Sequence, residues 1–378
     1  MRIIQLLFFI LINNLFIAKY CSRITPYFIL CNLIYTVFVL GVFYFISAKN
    51  SLPKQLNYKV IYGAAVVLMI VGISLLLYYI NPHAVQVDRW SAIHNFIEYL
   101  FDGKYPYGAQ THLGGYGSPF PVWQFSHIPF FLLGDVGLAS LFSFIGIAIL
   151  LVWLLDSYKK AFIYIFFVLI SPSFWYEIAV RSDLIYNFFL CFLTISIVYK
   201  KQYTIQSNYL LLGILCGLFL STRVTIVVPF TIFLFSSFFE ASAKAKLVFA
   251  FTGMLVFAGS FFPLVLWDAD MLFSFTYNPF VLQTRQGSIV ELLLIGIISI
   301  FFALKWKSIQ TCFSFISISL LLMVVSSFLH RMIPNNFENG LFSVSYDITY
   351  FNMALPFIIF VVANATIKAS SKNLNAPE

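Results

Sequence analysis

Charge is what this sequence has least of. Asp, Glu, Lys and Arg make up 10% of its 378 residues, against 61% hydrophobic and 20% aromatic, whereas a soluble domain carries roughly 25% charged residues. With a mean hydropathy of +0.93, that shortage excludes the soluble classes and implies a polytopic membrane protein. Cysteine is scarce too. Cys21, Cys31, Cys191, Cys216 and Cys312 are odd in number, lie in or beside apolar runs and show no CxxC spacing. That argues for packing and against a disulfide framework or a zinc site. There is no internal repeat and no low-complexity tract, so residues 1–378 read as one integral membrane unit. The net charge of +8 comes from basic residues scattered singly or in pairs, which reflects topology and not nucleic-acid binding.

What the chain has in abundance is apolar runs, and a bilayer core takes about 20 apolar residues per helix. Twelve spans are expected, at 3–19, 26–47, 59–80, 136–155, 161–176, 183–199, 208–222, 223–239, 246–267, 288–304, 309–329 and 347–367. The fold class is therefore all-α, a transmembrane helical bundle. The first run, IIQLLFFILINNLFIA, lacks a small-residue cleavage site and reads as a retained helix. A cytoplasmic N-terminus puts fourteen basic residues inside, Lys159, Lys160, Lys200 and Lys201 among them, and eight outside. This obeys the positive-inside rule, with Lys19 and Arg23 as local exceptions. Eleven of the fourteen acidic residues fall on or near the outer face, so any chemistry is expected there. The segment 119–134, short and with three prolines, reads as interfacial or re-entrant. The outer face then has one long loop, 81–135, and smaller ones near 177–183, 268–287 and 330–346. Residues 240–378 supply the C-terminal spans.

The stretch QVDRWSAIHNFIEYLFDGKYPY, residues 86–107, places five charges in the seventeen residues from Asp88 to Lys104. Trp90, Ile93, Ile97, Leu100 and Phe101 recur at helical spacing, with Arg89, His94, Asn95, Glu98 and Asp102 largely opposite. That pattern predicts an amphipathic interfacial helix ended by Gly103. Asp88 either caps this helix or stands at the mouth of a cavity, and the two are compatible. In KYPYGAQTHLGGYGSPFP, which cannot be a helix, Tyr105, Tyr107 and Tyr116 offer aromatic faces and hydroxyls to a sugar; they suit an interfacial aromatic belt equally.

An Asp after a span, an amphipathic helix, then G-x-Y-P-Y and a Tyr/Pro-rich segment (Asp88, Gly103, Tyr105, Pro106, Tyr107, Tyr116, Pro119) resembles the first outer loop of GT-C glycosyltransferases. SPSFWYEIAVRSDL and LLLGILCGLFLSTRVTIVVP follow in the order of that family's polyprenol-phosphate-mannose-dependent, mannosyltransferase-like branch. The resemblance covers roughly residues 59–239 and is one of pattern. It departs from the family in two preceding spans, in Arg223 where that branch more often has Lys, and in a single Asp88 where several relatives have an acidic pair.

What the resemblance implies is an inverting transfer of one sugar, hexose or pentose, from a polyprenyl-phosphate donor to a glycan or lipid-linked acceptor. Asp88 is the implied general base. The leaving lipid phosphate needs cations, for which Arg is well suited. The expected substrate-binding residues are thus Arg89, Arg181, Asp183, Arg223, Arg285 and Arg331 with the three tyrosines. Arg223 ranks first among the arginines, because a charge between two apolar spans costs about 2.5–3.5 kcal/mol at a helix centre; snorkelling to the headgroups is its bland alternative. Arg181 and Asp183 read either as an interfacial ion pair or, in Asp183's case, as a group that orients sugar or acceptor. His94, His112, His127 and His330 show no metal-ligand spacing, while a divalent cation, Mg or Mn, bridging Asp88 and phosphate stays open. Two rival readings are an O-antigen-type polymerase and a non-catalytic lipid or polysaccharide flippase or transporter. Short loops, and no N-x-S/T in the expected outer loops, favour a bacterial inner membrane with the site facing the periplasm or exterior.

Overall fold

The computed structural model describes residues 1–48, 56–284, 287–342 and 346–372. Arg285, expected above to bind substrate, lies outside the described residues. Among those described the chain is helical, with no strand and one isolated bridge between Gln110 and Tyr116. In chain order the helices are α1 (Arg2–Cys21), α2 (Phe28–Ala48), α3 (Tyr58–Tyr79), α4 (Arg89–Phe101), α5 (Pro121–Ser126), α6 (Ile128–Leu132), α7 (Leu138–Leu155), α8 (Tyr158–Leu169) and α9 (Pro172–Ala179). They continue with α10 (Leu184–Lys200), α11 (Ile205–Leu220), α12 (Val227–Glu240), α13 (Ala243–Phe273), α14 (Pro279–Thr284), α15 (Ile289–Ala303), α16 (Ile309–Asn335), α17 (Phe337–Phe342) and α18 (Leu355–Lys372).

Six of these, α1, α2, α3, α7, α13 and α16, are long and apolar enough to cross a membrane. The count is seven if the pair α8 and α9 is one span. Five shorter apolar helices fall at Leu184–Lys200, Ile205–Leu220, Val224–Glu240, Ile289–Ala303 and Ile348–Asn364. Every one of the twelve expected segments is therefore helical, in a helical membrane protein, and the six longest meet the length a crossing needs. The expected continuous span at 161–176 is corrected: α8 and α9 bend by 67°. Ser171 caps α9 through the Phe174 amide and Pro172 takes its first position, so the helix restarts there.

Helix starts follow local chemistry elsewhere too. Asn57 caps α3, Ser242 caps α13, and Ser288 with Glu291 and Ser308 with Thr311 form capping boxes on α15 and α16. The segment 119–134 forms two short helices, each with Pro in its first turn, and not a crossing. The helix expected after Asp88 is α4, closed by Gly103 at φ 69°. Its apolar residues Trp90, Ile93, Phe96 and Ile97 are buried. Arg89 is corrected from that helix's polar face to its buried side, at 8% exposure.

The most extensive helix pair is α11 with α13. Gly213 and Gly217 permit it: a Cβ would lie 2.8 Å from the Phe249 carbonyl at the first and 2.6 Å from the Gly253 carbonyl at the second. Close backbone approach of this kind is how helices associate where no hydrophobic drive separates them from lipid. Replacing Gly217 by Val should lower the melting temperature in detergent, at a cost of about 1–3 kcal/mol for overpacking. An unchanged melting curve would show that the two helices can separate freely.

Candidate functional site

The C-terminal ends of α1 and α16, the start of α4, and residues of α9 and of the turns before α10 and α12 line one cavity of about 640 Å3. Its lining includes Asp88, Arg89, Tyr116, Asp183, Arg223 and Arg331, which the sequence had singled out. It also includes Lys19, Tyr20, Arg23, Tyr176, Tyr346, Asp347 and Tyr350, which it had not. Five cations and three carboxylates line the space, a formal surplus of two positive charges.

Asp183 is the buried centre. Its Oδ2 accepts from Arg223 at 2.5 Å and from the Trp123 indole at 2.7 Å, and its Oδ1 lies 3.7 Å from Arg89. Arg89 in turn donates to Asp347 Oδ2 at 2.8 Å and to Thr349 at 3.0 Å, and its guanidinium lies 4.8 Å from the Tyr350 ring centre. Burial opposes the charge of both carboxyls. Arg223 and then Arg89 outweigh it at Asp183, and Arg89 with Thr349 does so at Asp347, so both are held below the usual carboxylate range. The expected ion pair of Arg181 with Asp183 is corrected. Arg181 bonds Asp135 at 2.9 Å and donates to the Leu77 and Ile80 carbonyls, closing the C-terminal end of α3. It does not line the cavity.

Asp88 stands at the N-cap position of α4 without a side-chain cap bond. Its Oδ2 instead accepts the Thr111 hydroxyl at 2.8 Å, and that hydroxyl oxygen accepts the Gly115 amide at 3.0 Å. A Cβ at Gly115 would sit 3.1 Å from Asp88 Oδ2, so glycine there lets the loop close over the carboxylate. Among the described residues Asp88 makes no ion pair, and it is half-buried in the cavity wall.

Of the three tyrosines, Tyr116 lines the cavity, against Tyr277. Tyr107 is corrected to a structural place: it is 1% exposed and its hydroxyl donates to the Pro119 carbonyl. Tyr105 packs on Trp267 and bonds the Leu264 carbonyl, away from the cavity. Arg285 lies outside the described residues.

On the opposite flank, Lys19 donates to the Tyr346 carbonyl at 2.8 Å, Arg23 lies 5.1 Å from the Tyr20 ring centre, and Tyr20 stacks on Tyr176 at 3.9 Å. The clue to these residues was visible: Lys19 and Arg23 are the two local exceptions to the positive-inside pattern.

Tyr346 and Tyr350 also line a second, largely apolar cavity of about 270 Å3, with Val224, Ile295, Met323 and Val324. Among the described residues no three His, Cys, Asp or Glu side chains converge as a metal site. Asp183 and Asp347 have oxygens engaged by guanidinia, which leaves Asp88 as the cavity carboxylate open to a further partner. The chain matches no family model, no curated protein and no solved structure.

Replacing Asp183 by Ala would strand two buried guanidinia and should cost about 3–5 kcal/mol of stability. Because both carboxyls are held low, their contribution is complete above the ordinary carboxylate pKa of about 4. It is lost as pH falls through the lowered folded-state values. The gap between the melting curves of the parent protein and Asp183→Asn should therefore be constant from neutral pH down to that point and shrink below it.

Proposed function

We propose that this protein is a glycosyltransferase of the GT-C kind, moving one sugar from a polyprenyl phosphate to a glycan or lipid-linked acceptor. The observation that carries the reading is Asp88. It is a carboxylate without an ion pair among the described residues, in the wall of a cavity whose cations outnumber its carboxylates. The neighbouring apolar cavity, joined through Tyr346 and Tyr350, supports a ligand that is anionic at one end and a hydrocarbon chain at the other.

In this reading Asp88 takes the proton of the acceptor hydroxyl as its oxygen attacks the anomeric carbon. The bond from that carbon to the phosphate oxygen breaks, and the polyprenyl phosphate leaves with the electron pair. Cations in a medium of low dielectric stabilise the charge that develops on it. Asp347, held ionised by Arg89, is a poorer base than a carboxylate whose bonding partner is the neutral Thr111 hydroxyl. The reaction is written without a metal step. We further propose that all twelve apolar segments cross, with the N-terminus cytoplasmic and the cavity facing the periplasm or exterior of a bacterial inner membrane.

The test is an in-membrane assay with a panel of polyprenyl-phosphate sugars, read by product mass. Asp88→Asn should lower transfer by about 10²–10⁴-fold at normal expression, the usual worth of a general base. Full activity in that variant would sink the mechanism. Products extended by whole repeat units would point to a polymerase, and lipid movement without a new glycosidic bond to a flippase.

A further inference from the structure

We propose that the phosphate of the lipid ligand is held by the wall that α1 contributes, Lys19 and Arg23 with Arg331 beside them, and not by Arg223. This rests on the reading of the cavity as a site for a polyprenyl-phosphate sugar. Arg223 is the residue that sequence position favours, yet its charge is already spent. It is 4% exposed, it lies 2.5 Å from a wholly buried Asp183, and its Nε is buried without a hydrogen-bond partner. Arg89 is shared between Asp183 and Asp347. A phosphate drawn to the unpartnered Nε of Arg223 or Nη1 of Arg89 would compete for a charge that a buried carboxylate already neutralises.

The α1 wall is different in kind. Lys19 gives its bond to a backbone carbonyl and Arg23 rests on an aromatic face while exposed. Both partners are neutral, and neither residue forms a salt bridge among the described residues. Two cavity cations that no carboxylate pairs among the described residues, Lys19 and Arg23, therefore sit on this side.

Position agrees with charge. Lys19 bonds Tyr346, the residue shared with the apolar cavity, and Arg331 stands on α16 beyond Met323, Val324 and Ser327, which line that cavity. A hydrocarbon chain lying there brings its head group to this wall. The stacked Tyr20 and Tyr176 next to it offer an aromatic edge to the first sugar. The first helix, α1, which precedes the GT-C-like part of the chain, thus supplies the donor's anchor.

The experiment measures binding of undecaprenyl phosphate, neutral undecaprenol and dioleoyl phosphatidic acid to the full chain in phosphatidylcholine nanodiscs. Arg23→Gln and Lys19→Gln should each weaken undecaprenyl phosphate about tenfold, the worth of a charged hydrogen bond, and leave undecaprenol unchanged. Lys19→Arg should retain binding. Arg23 is exposed, so its variant tests the wall even where a Lys19 change disturbs packing. Unchanged affinity in Arg23→Gln and Lys19→Gln, or an equal loss for undecaprenol, overturns the proposal. Phosphatidic acid bound as tightly through the same residues keeps the wall as a phosphate site and removes the donor-lipid reading. Normal binding in both variants, with transfer still dependent on Asp88, does the reverse.

Discussion

The buried cluster of Asp183 with Arg223 and Arg89 is the constraint on which the rest of the site depends. Asp183 opens α10, Arg223 ends the turn between α11 and α12, Arg89 starts α4, and Trp123 belongs to α5. One carboxylate therefore sets the relative positions of four elements. Charges out of water tolerate little misplacement, since each displaced partner leaves another unpaired. Through Arg89 the same cluster reaches Asp347 and Tyr350 ahead of α18. The cavity is consequently framed by ion pairs, with Asp88 hung from its edge by a neutral hydroxyl.

A second polar layer lies among the buried side chains of the bundle. Asn13 of α1 accepts from the Ser171 hydroxyl and the Ser173 amide, and Asn352 donates to Glu177 at 3.0 Å. All five residues are buried. In apolar surroundings such groups are costly unless they satisfy one another. Asn13, Ser171 and Ser173 do so at the bend between α8 and α9, where Ser171 and Pro172 interrupt the backbone ladder, whereas Glu177 Oε2 and Asn352 Oδ1 stay without a partner among the described residues. α1 is thereby fastened to the part of the chain that turns toward the cavity.

The helices were legible in the sequence because burial in lipid writes itself as long apolar runs, and all twelve runs are helical. The bend at Ser171 was only half legible, since a proline after an apolar stretch can end a helix or begin one. Asp88, Arg223 and the α4 pattern were readable because each stands out against its neighbours. The partner of Arg89 was not: Asp347 lies 258 residues away, and no local pattern encodes a distant ion pair. Tyr107 misled because a tyrosine in a Gly/Pro loop looks the same whether its ring faces solvent or packs on Phe96. Arg181 misled for the opposite reason, its sequence neighbour Asp183 being the wrong carboxylate.

That separation of 258 residues between Arg89 and Asp347 also has a meaning in time. At about 5–20 residues per second of synthesis, Arg89 waits roughly 13–50 seconds for Asp347 to be made. Asp183 arrives well before, and can hold the guanidinium in the interval. A chain released early, without its last helix, would keep a half-neutralised arginine buried in the cavity wall. Such a chain is left unfinished in its electrostatics as well as in its length, because the wall closes only when the last carboxylate arrives.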